Sequence, residues 1–193
     1  MTSSGDHLTV NSHSHPDLFW ALRGGGGGTY GIVTSVTYRT HPSVALTAVF
    51  FGANSTNNNT FNTLFTEFVR INPKLSDAGF GGYALMTRNA MQMFYIALNV
   101  TQAQANMTFD PFFAFAQNLT SEGLNIAASL TVPYPSFYTW YTSIFSTGQQ
   151  VGSITELASR LISRETIEHN PQGIADAMLA MDGAIWQYAF GCL

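Results

Sequence analysis

The most informative part of the sequence is His15-Pro16-Asp17-Leu18-Phe19-Trp20-Ala21-Leu22-Arg23, five glycines at 24–28, and then Thr29-Tyr30-Gly31-Ile32-Val33-Thr34. A proline in the first turn is typical of a helix start, so this pattern predicts a short helix over Leu18–Leu22. The run 32–38 is rich in β-branched and aromatic residues and predicts a strand. The glycines therefore stand between a helix and a strand.

The glycine run must have a reason, because each glycine costs backbone entropy on folding. Residues 26–31 match the dinucleotide fingerprint G-x-G-x-x-G, but that motif follows a strand and opens a helix, and here the order is reversed. A flexible linker is one alternative. It fits poorly beside Trp20 and Ile32, which we expect to be buried. The pattern favours backbone that passes so close to a bound group or another strand that no Cβ fits.

Around this stretch the chain divides near Pro42, where the pattern changes to longer alternating elements. Upstream, His7–Ser12 alternates apolar and polar residues and predicts a short strand. We therefore expect one domain over 1–42 and a second over 43–193.

The second domain shows the pattern of an α+β fold. Its order is β-α-β-β-α-β, in which two helices cover one face of an antiparallel sheet. Two further helical pieces meet at Asn170-Pro171 within 164–181, and a strand begins at Trp186. The six central elements are the strand Val44–Phe51, the helix Asn57–Asn72, the strands Gly82–Met86 and Met91–Leu98, the helix Ala103–Glu122, with a potential break at Asp110-Pro111, and the strand Leu124–Val132.

Composition excludes some classes of function. Only 9% of residues are charged and the net charge is −4, which argues against nucleic-acid binding. No apolar run approaches the length of a membrane span, so no membrane partner is expected. The single Cys192 excludes an internal disulfide.

Asparagine supplies a second signal. Five Asn-x-Ser/Thr sequons in a chain with few charges predict a secreted glycoprotein, although no leader peptide is visible at the start. A chance origin is the alternative, because an Asn- and Thr-rich sequence generates sequons freely. The predicted glycosylation sites are Asn54, Asn58, Asn99, Asn106 and Asn118.

The stretch His15–Thr34 closely resembles the segment that closes the flavin domain of berberine bridge enzyme-like oxidases, within the family of vanillyl-alcohol oxidase and p-cresol methylhydroxylase. Ser159–Arg164 is similar to a segment of fungal members. The resemblance implies that 1–42 is the C-terminal part of a PCMH-type FAD-binding domain. It implies that 43–193 is a substrate domain, with the chain truncated at both ends.

The implied cofactor is FAD, with backbone beside its adenine end. The alternative is that these glycines only pack a helix against a sheet. Family members attach the flavin covalently through residues of an earlier loop, which this chain does not contain. The implied cofactor-binding residues are Gly27, Gly28, Gly31, Ile32 and Val33.

The implied chemistry is hydride transfer from a substrate C–H to flavin and then to O₂, with a small-molecule substrate. No catalytic residue can be named, because the tyrosine that family members usually bring from a C-terminal stretch is missing. Tyr83, Tyr95 and Tyr134 lie on or near predicted strands, where core packing is the alternative. His13-Ser14-His15 is too sparse to predict a metal site.

We expect the 193 residues alone to be inactive and to purify without yellow colour. Two other functions stay open: a secreted, non-catalytic glycoprotein or binding domain of the same fold, and a sugar-binding β-rich module.

Overall fold

The computed structural model describes residues 1–144 and 160–180, and the backbone of 186–190. The chain divides into two compact units, Met1–Pro42 and Ser43–Leu193. That these are the end of an FAD-binding domain and a substrate domain stays a prediction. Ser159 and Cys192 lie outside the described residues.

The first unit contains one helix, α1, at Pro16–Leu22, which confirms the predicted helix. The strands predicted at His7–Ser12 and 32–38 are wrong for this chain, since both segments are irregular. A strand needs a neighbouring strand for its hydrogen bonds. In the 32–38 segment, Ile32 exchanges two backbone hydrogen bonds with Met1, at 2.7 and 2.8 Å, and this pairing does not extend into a ladder.

The expected burial of Trp20 and Ile32 is also wrong. Their exposed fractions are 81% and 61%. None of residues 1–42, all of which are described, is buried. One seven-residue helix and irregular chain do not enclose enough apolar surface to form a core.

The second unit confirms the predicted β-α-β-β-α-β order. Gly123, at φ 95°, ends the short 3₁₀ turn Leu119–Glu122. Two short helices, Arg164–His169 and Pro171–Leu179, meet at Asn170 as expected. The elements are β1 Leu46–Ser55, α2 Asn58–Asp77, β2 Gly81–Met86, β3 Ala90–Leu98, α3 Gln102–Asn118, β4 Leu124–Tyr134, α4 Phe137–Ile144, α5 Arg164–His169, α6 Pro171–Leu179 and β5 Trp186–Phe190.

Local chemistry explains where the two long helices begin. The Asn57 side chain accepts the backbone N–H groups of Asn59 and Thr60 at the start of α2. Thr101 and Gln104 form a capping box at the start of α3. The potential break at Pro111 does not occur. Phe109 and Phe112 on either side are fully buried, and we attribute the continuity of the helix to their packing.

The five strands form one sheet in the order β4-β1-β3-β2-β5, and every adjacent pair is antiparallel. Helices α2, α3 and α6 contribute most of the buried helical residues. Tyr95 lies in this core, and its ring contacts the rings of Phe68 and Phe109. The core therefore lies between the helices and one face of the sheet, which we call the helix face.

Candidate functional site

The opposite face of the sheet, which we call the open face, carries a row of aromatic side chains. Antiparallel register places Phe50 of β1 opposite Phe94 of β3, and Phe94 opposite Tyr83 of β2. Residues opposite one another across strands share a face, so these three rings lie side by side. Leu130 of β4, opposite Phe50, extends the row and is 45% exposed.

The next row along the open face is less bulky. Gly52 lies opposite Gln92 on one side and Ala128 on the other. A Cβ at Gly52 would come no closer than 3.9 Å to another atom, so the packing of the described residues does not require a glycine there. Gln92 is exposed and brings an amide to this otherwise apolar surface.

Helix α4 covers one end of the open face. Trp140 is buried against Leu46 and Ala48, with Phe50 and Ile96 packed around them. Beside this contact, a cleft of about 440 Å³ lies between α4 and residues of the neighbouring strands β2 and β3.

The three candidate tyrosines fall in different surroundings. Tyr95 is fully buried on the helix face, where its hydroxyl donates to Asn72 Oδ1 at 3.0 Å and burial raises its pKa well above the usual value. Tyr134 packs against the cluster formed by Leu46, Ala48 and Trp140. Tyr83 alone of the three lies on the open face with substantial exposure, 39%. Of these candidates, Tyr83 is the one placed to reach a ligand there.

The glycine run shows two kinds of position. Gly25 cannot carry a side chain, because a Cβ would lie 2.4 Å from the Tyr30 ring. By contrast, a Cβ at Gly28 would meet nothing within 4 Å, and one at Gly27 only a Val33 methyl at 3.8 Å. Among the described residues, the packing around 27 and 28 therefore does not require glycine at either position.

At the end of this run the backbone of Ile32 is already paired with Met1. A Cβ at Gly31 would lie 2.8 Å from the Met1 carbonyl oxygen. The assignment of Gly27, Gly28, Gly31, Ile32 and Val33 to the cofactor stays a prediction.

Histidine offers little chemistry. His15 precedes α1 with φ 51°, and its side chain makes no capping hydrogen bond. His7 contacts the Thr34 hydroxyl at 3.1 Å. Within the described residues, no three His, Cys, Asp or Glu side chains are grouped to hold a metal ion. No helix of that part of the chain is long and apolar enough to cross a membrane.

The sequon threonines have structural roles of their own. The Thr60 hydroxyl donates to the Glu122 carbonyl at 2.9 Å, and Thr101 caps α3. Asn106 is half-buried and accepts a hydrogen bond from Thr131. The remaining sequon asparagines, Asn54, Asn58, Asn99 and Asn118, are exposed. Their glycosylation stays a prediction.

Comparison with known proteins identifies the relatives of this chain. No protein-family model matches it. An uncharacterized FAD-linked oxidoreductase of Arthroderma benhamiae is 33% identical over an alignment of 195 positions. The alignment covers 94% of this chain and 32% of that protein. The flavin-dependent oxygenase ucdF of Aspergillus ustus is 29% identical over 197 residues, covering 94% of this chain and 35% of the relative.

The chain is therefore a homologue of the fungal FAD-linked oxidoreductases. It spans about a third of the length of the curated relatives it matches. The VAO-type flavoprotein MtVAO713 of Myceliophthora thermophila C1 is similar in fold, with a TM-score of 0.69 and 23% identity, and the match covers 100% of this chain and 37% of that structure. FAD is the cofactor shared by these FAD-linked relatives, as the resemblance implied.

The open face of this FAD-linked oxidoreductase homologue is an aromatic surface with few polar groups. Its central rows combine aromatic and small side chains, with Gln92 and Tyr83 as polar groups. Phe50, Phe94 and α4 were not predicted from the sequence as parts of this surface. The available signal was the apolar residues at successive positions of β1 and β3, which indicate strands with two covered faces.

Proposed function

We propose that the protein is an FAD-dependent oxidase of the berberine bridge enzyme-like type. In this proposal the second unit is the substrate domain, and its open face lies against the flavin ring and the substrate. The first unit is the end of the FAD-binding domain. The observation that carries the proposal is the aromatic open face, Phe50–Phe94–Tyr83, on a sheet whose other face packs into the hydrophobic core.

An apolar sheet face in contact with water is unfavourable, because burial of apolar surface stabilises a protein by about 25 cal/mol per Å². Contiguous exposed apolar patches on soluble proteins usually mark binding sites. Tyr83 and Leu130, at 39% and 45% exposure, flank the row. A flat ligand would cover this surface and exclude water from it.

FAD, when bound, would supply the redox chemistry, which is acceptance of a hydride from a substrate C–H bond and delivery of two electrons with two protons to O₂ to give H₂O₂. The protein's part is to position the substrate and keep water out. The open face contributes a dry, aromatic wall for this purpose. The Tyr83 hydroxyl can hold a substrate oxygen or nitrogen by a hydrogen bond.

We also place the protein outside the cell. Five sequons and a charged fraction of only 9% support a glycosylated surface. The natural host should release the protein into its medium, and treatment of that protein with an N-glycosidase should lower its mass. Recovery of the protein only from inside the cells would contradict this location.

The test of the oxidase uses the natural protein that contains these 193 residues. Its visible spectrum should show stoichiometric flavin. After reduction with dithionite without oxygen, mixing with O₂ should restore the oxidised spectrum and release H₂O₂. A purified, folded protein without flavin would overturn the proposal and favour a non-catalytic binding domain. The 193-residue chain alone should purify without flavin absorbance.

A further inference from the structure

Strand β4 forms one edge of the sheet, with β1 on its inner side and no described strand on its outer side. The backbone N–H and C=O groups that point outward from an edge strand are a template for pairing with another chain. Residues 126–132, Ile-Ala-Ala-Ser-Leu-Thr-Val, contain no charge, proline or glycine. Segments of this composition are prone to intermolecular strand pairing, so we expect the fold to protect this edge.

Two features protect the ends of the edge. The register of β1 against β4 shifts between Gly52 and Ala53, which leaves Ala127 as an extra residue and bulges β4. Pro133, near the other end, has no N–H to donate to a partner strand. The regular stretch between the bulge and the proline is 128–132, and neither feature covers it.

An amide from helix α3 reaches this stretch. The Gln102 side chain donates from Nε2 to the Thr131 carbonyl at 2.8 Å. A backbone N–H of a neighbouring strand would make the same kind of bond to an outward carbonyl. The Thr131 hydroxyl donates to Asn106 Oδ1, one turn further along α3. The two contacts fix the start of α3 beside β4 and hold the Gln102 amide in place.

We propose that Gln102 is an edge guard, which keeps the outer side of β4 from pairing with β4 of a second copy of the chain. A second copy is the partner that fits, because an edge strand that pairs antiparallel with itself about a twofold axis is self-complementary. The uncharged segment also offers no repulsion between copies. Without Gln102, the Thr131 carbonyl is free to accept from the other copy.

The area involved explains why one side chain is enough. So short a stretch buries far less than the about 800 Å² per partner of a standard interface. The pairing is therefore weak, and loss of a single hydrogen bond can decide it. The inference does not depend on the proposed function, since Gln102 belongs to a helix that packs on the helix face.

The test uses sedimentation velocity of the natural protein that contains these 193 residues, over a range of concentrations. Gln102→Ala should double the mass of the parent's assembly at concentrations about tenfold below those at which the parent does so. Hydrogen exchange of the 128–132 amides should slow as the doubled species forms. Asn106 stays unchanged, so its predicted glycosylation is the same in all variants.

The matched control is Gln117→Ala, which should behave as the parent. Gln117 is also an exposed glutamine of α3, about 22 Å along the helix from Gln102. Unchanged association of the Gln102→Ala protein, with circular dichroism to verify folding, would overturn the inference.

An added lysine shows where the copies meet. Ser129→Lys combined with Gln102→Ala should restore the parent's association, because a lysine on an edge strand opposes strand pairing. The same charge placed away from the edge, in Gln102→Ala with Gln117→Lys, should not restore it. Rescue by both lysines would indicate general charge repulsion, and rescue by neither would assign the contact to another surface. Either result rejects the edge guard and leaves the oxidase proposal untouched.

Discussion

The two faces of the same sheet are built from similar residues but have opposite surroundings. Phe51 points to the helix face and is 2% exposed, in edge contact with Phe112 at 5.0 Å. Its neighbour Phe50 points to the open face and is half-buried. Hydrophobicity alone therefore does not reveal the role of a strand residue. The helix face holds the main core, and the open face is apolar even beyond the part that α4 covers.

Truncation of the two phenylalanines, one at a time, tests whether the two faces contribute differently to stability. Phe51→Ala should lower the free energy of unfolding by about 3–5 kcal/mol, because it leaves a cavity in a close-packed core. Phe50→Ala should cost about 1 kcal/mol, since its side chain is only partly enclosed. Urea titration followed by circular dichroism measures both. Equal losses would show that the open face is also structural core.

A second pair of variants compares two glycines of the sheet. Gly82→Ala would bring a Cβ within 2.1 Å of the Phe94 carbonyl oxygen and 2.7 Å of Tyr95 Cα. It should destabilise the protein by about 1–3 kcal/mol, because backbone of β3 must move. Gly52→Ala, with nothing nearer than 3.9 Å, should stay within about 0.5 kcal/mol of the parent. Thermal unfolding of both variants is the measurement.

A third test concerns the buried hydroxyl on the helix face. Tyr95→Phe should cost about 1–3 kcal/mol at neutral pH, because Asn72 Oδ1 loses the hydrogen bond that it accepts from Tyr95. Burial raises the pKa of Tyr95, so the folded state keeps the hydroxyl neutral when the unfolded chain ionises above about pH 10. The stability contributed by Tyr95 is thus present below pH 10 and lost above it.

The fall in stability of the parent between pH 10 and 11 should therefore be steeper than that of the Tyr95→Phe variant. Urea titrations at pH 8, 10 and 11 compare the two. Parallel curves for the parent and Tyr95→Phe would reject the buried-hydroxyl explanation.

The smallest effect is expected at an exposed ion pair. Arg164 at the start of α5 donates to both carboxylate oxygens of Asp77, and this hydrogen bonding lowers the pKa of Asp77. A lowered pKa stabilises the fold above the unfolded value of about 4, and the contribution disappears as pH falls below it. Asp77→Asn should lower the melting temperature slightly at pH 6 and not at pH 3. Asp110→Asn serves as an exposed control.

Much of the second unit could be predicted, because its elements carry clear periodicity and end signals. The α2 pattern and the stop at Gly123 placed boundaries to within a few residues, and α5 and α6 separate at Asn170 as expected. The two-faced strands were harder to interpret. Alternation normally reports one buried face, and it weakens when both faces are apolar.

The first unit could not be predicted in the same way. Residues 32–38 have the composition of a strand, and yet strand formation depends on a partner strand that composition does not contain. Trp20 is an apolar residue whose burial depends on neighbours outside its own helix. Helix α4 escaped prediction because Phe, Tyr and Trp on an eight-residue segment are as compatible with a strand as with a helix.

The half-covered sheet also has a consequence inside the producing cell. Under the proposed function, chains that have not yet bound flavin expose the apolar open face to one another and to proteases, so flavin supply and protein yield become linked. Cultures short of riboflavin should accumulate less of the intact protein than supplemented ones, even where messenger levels are equal.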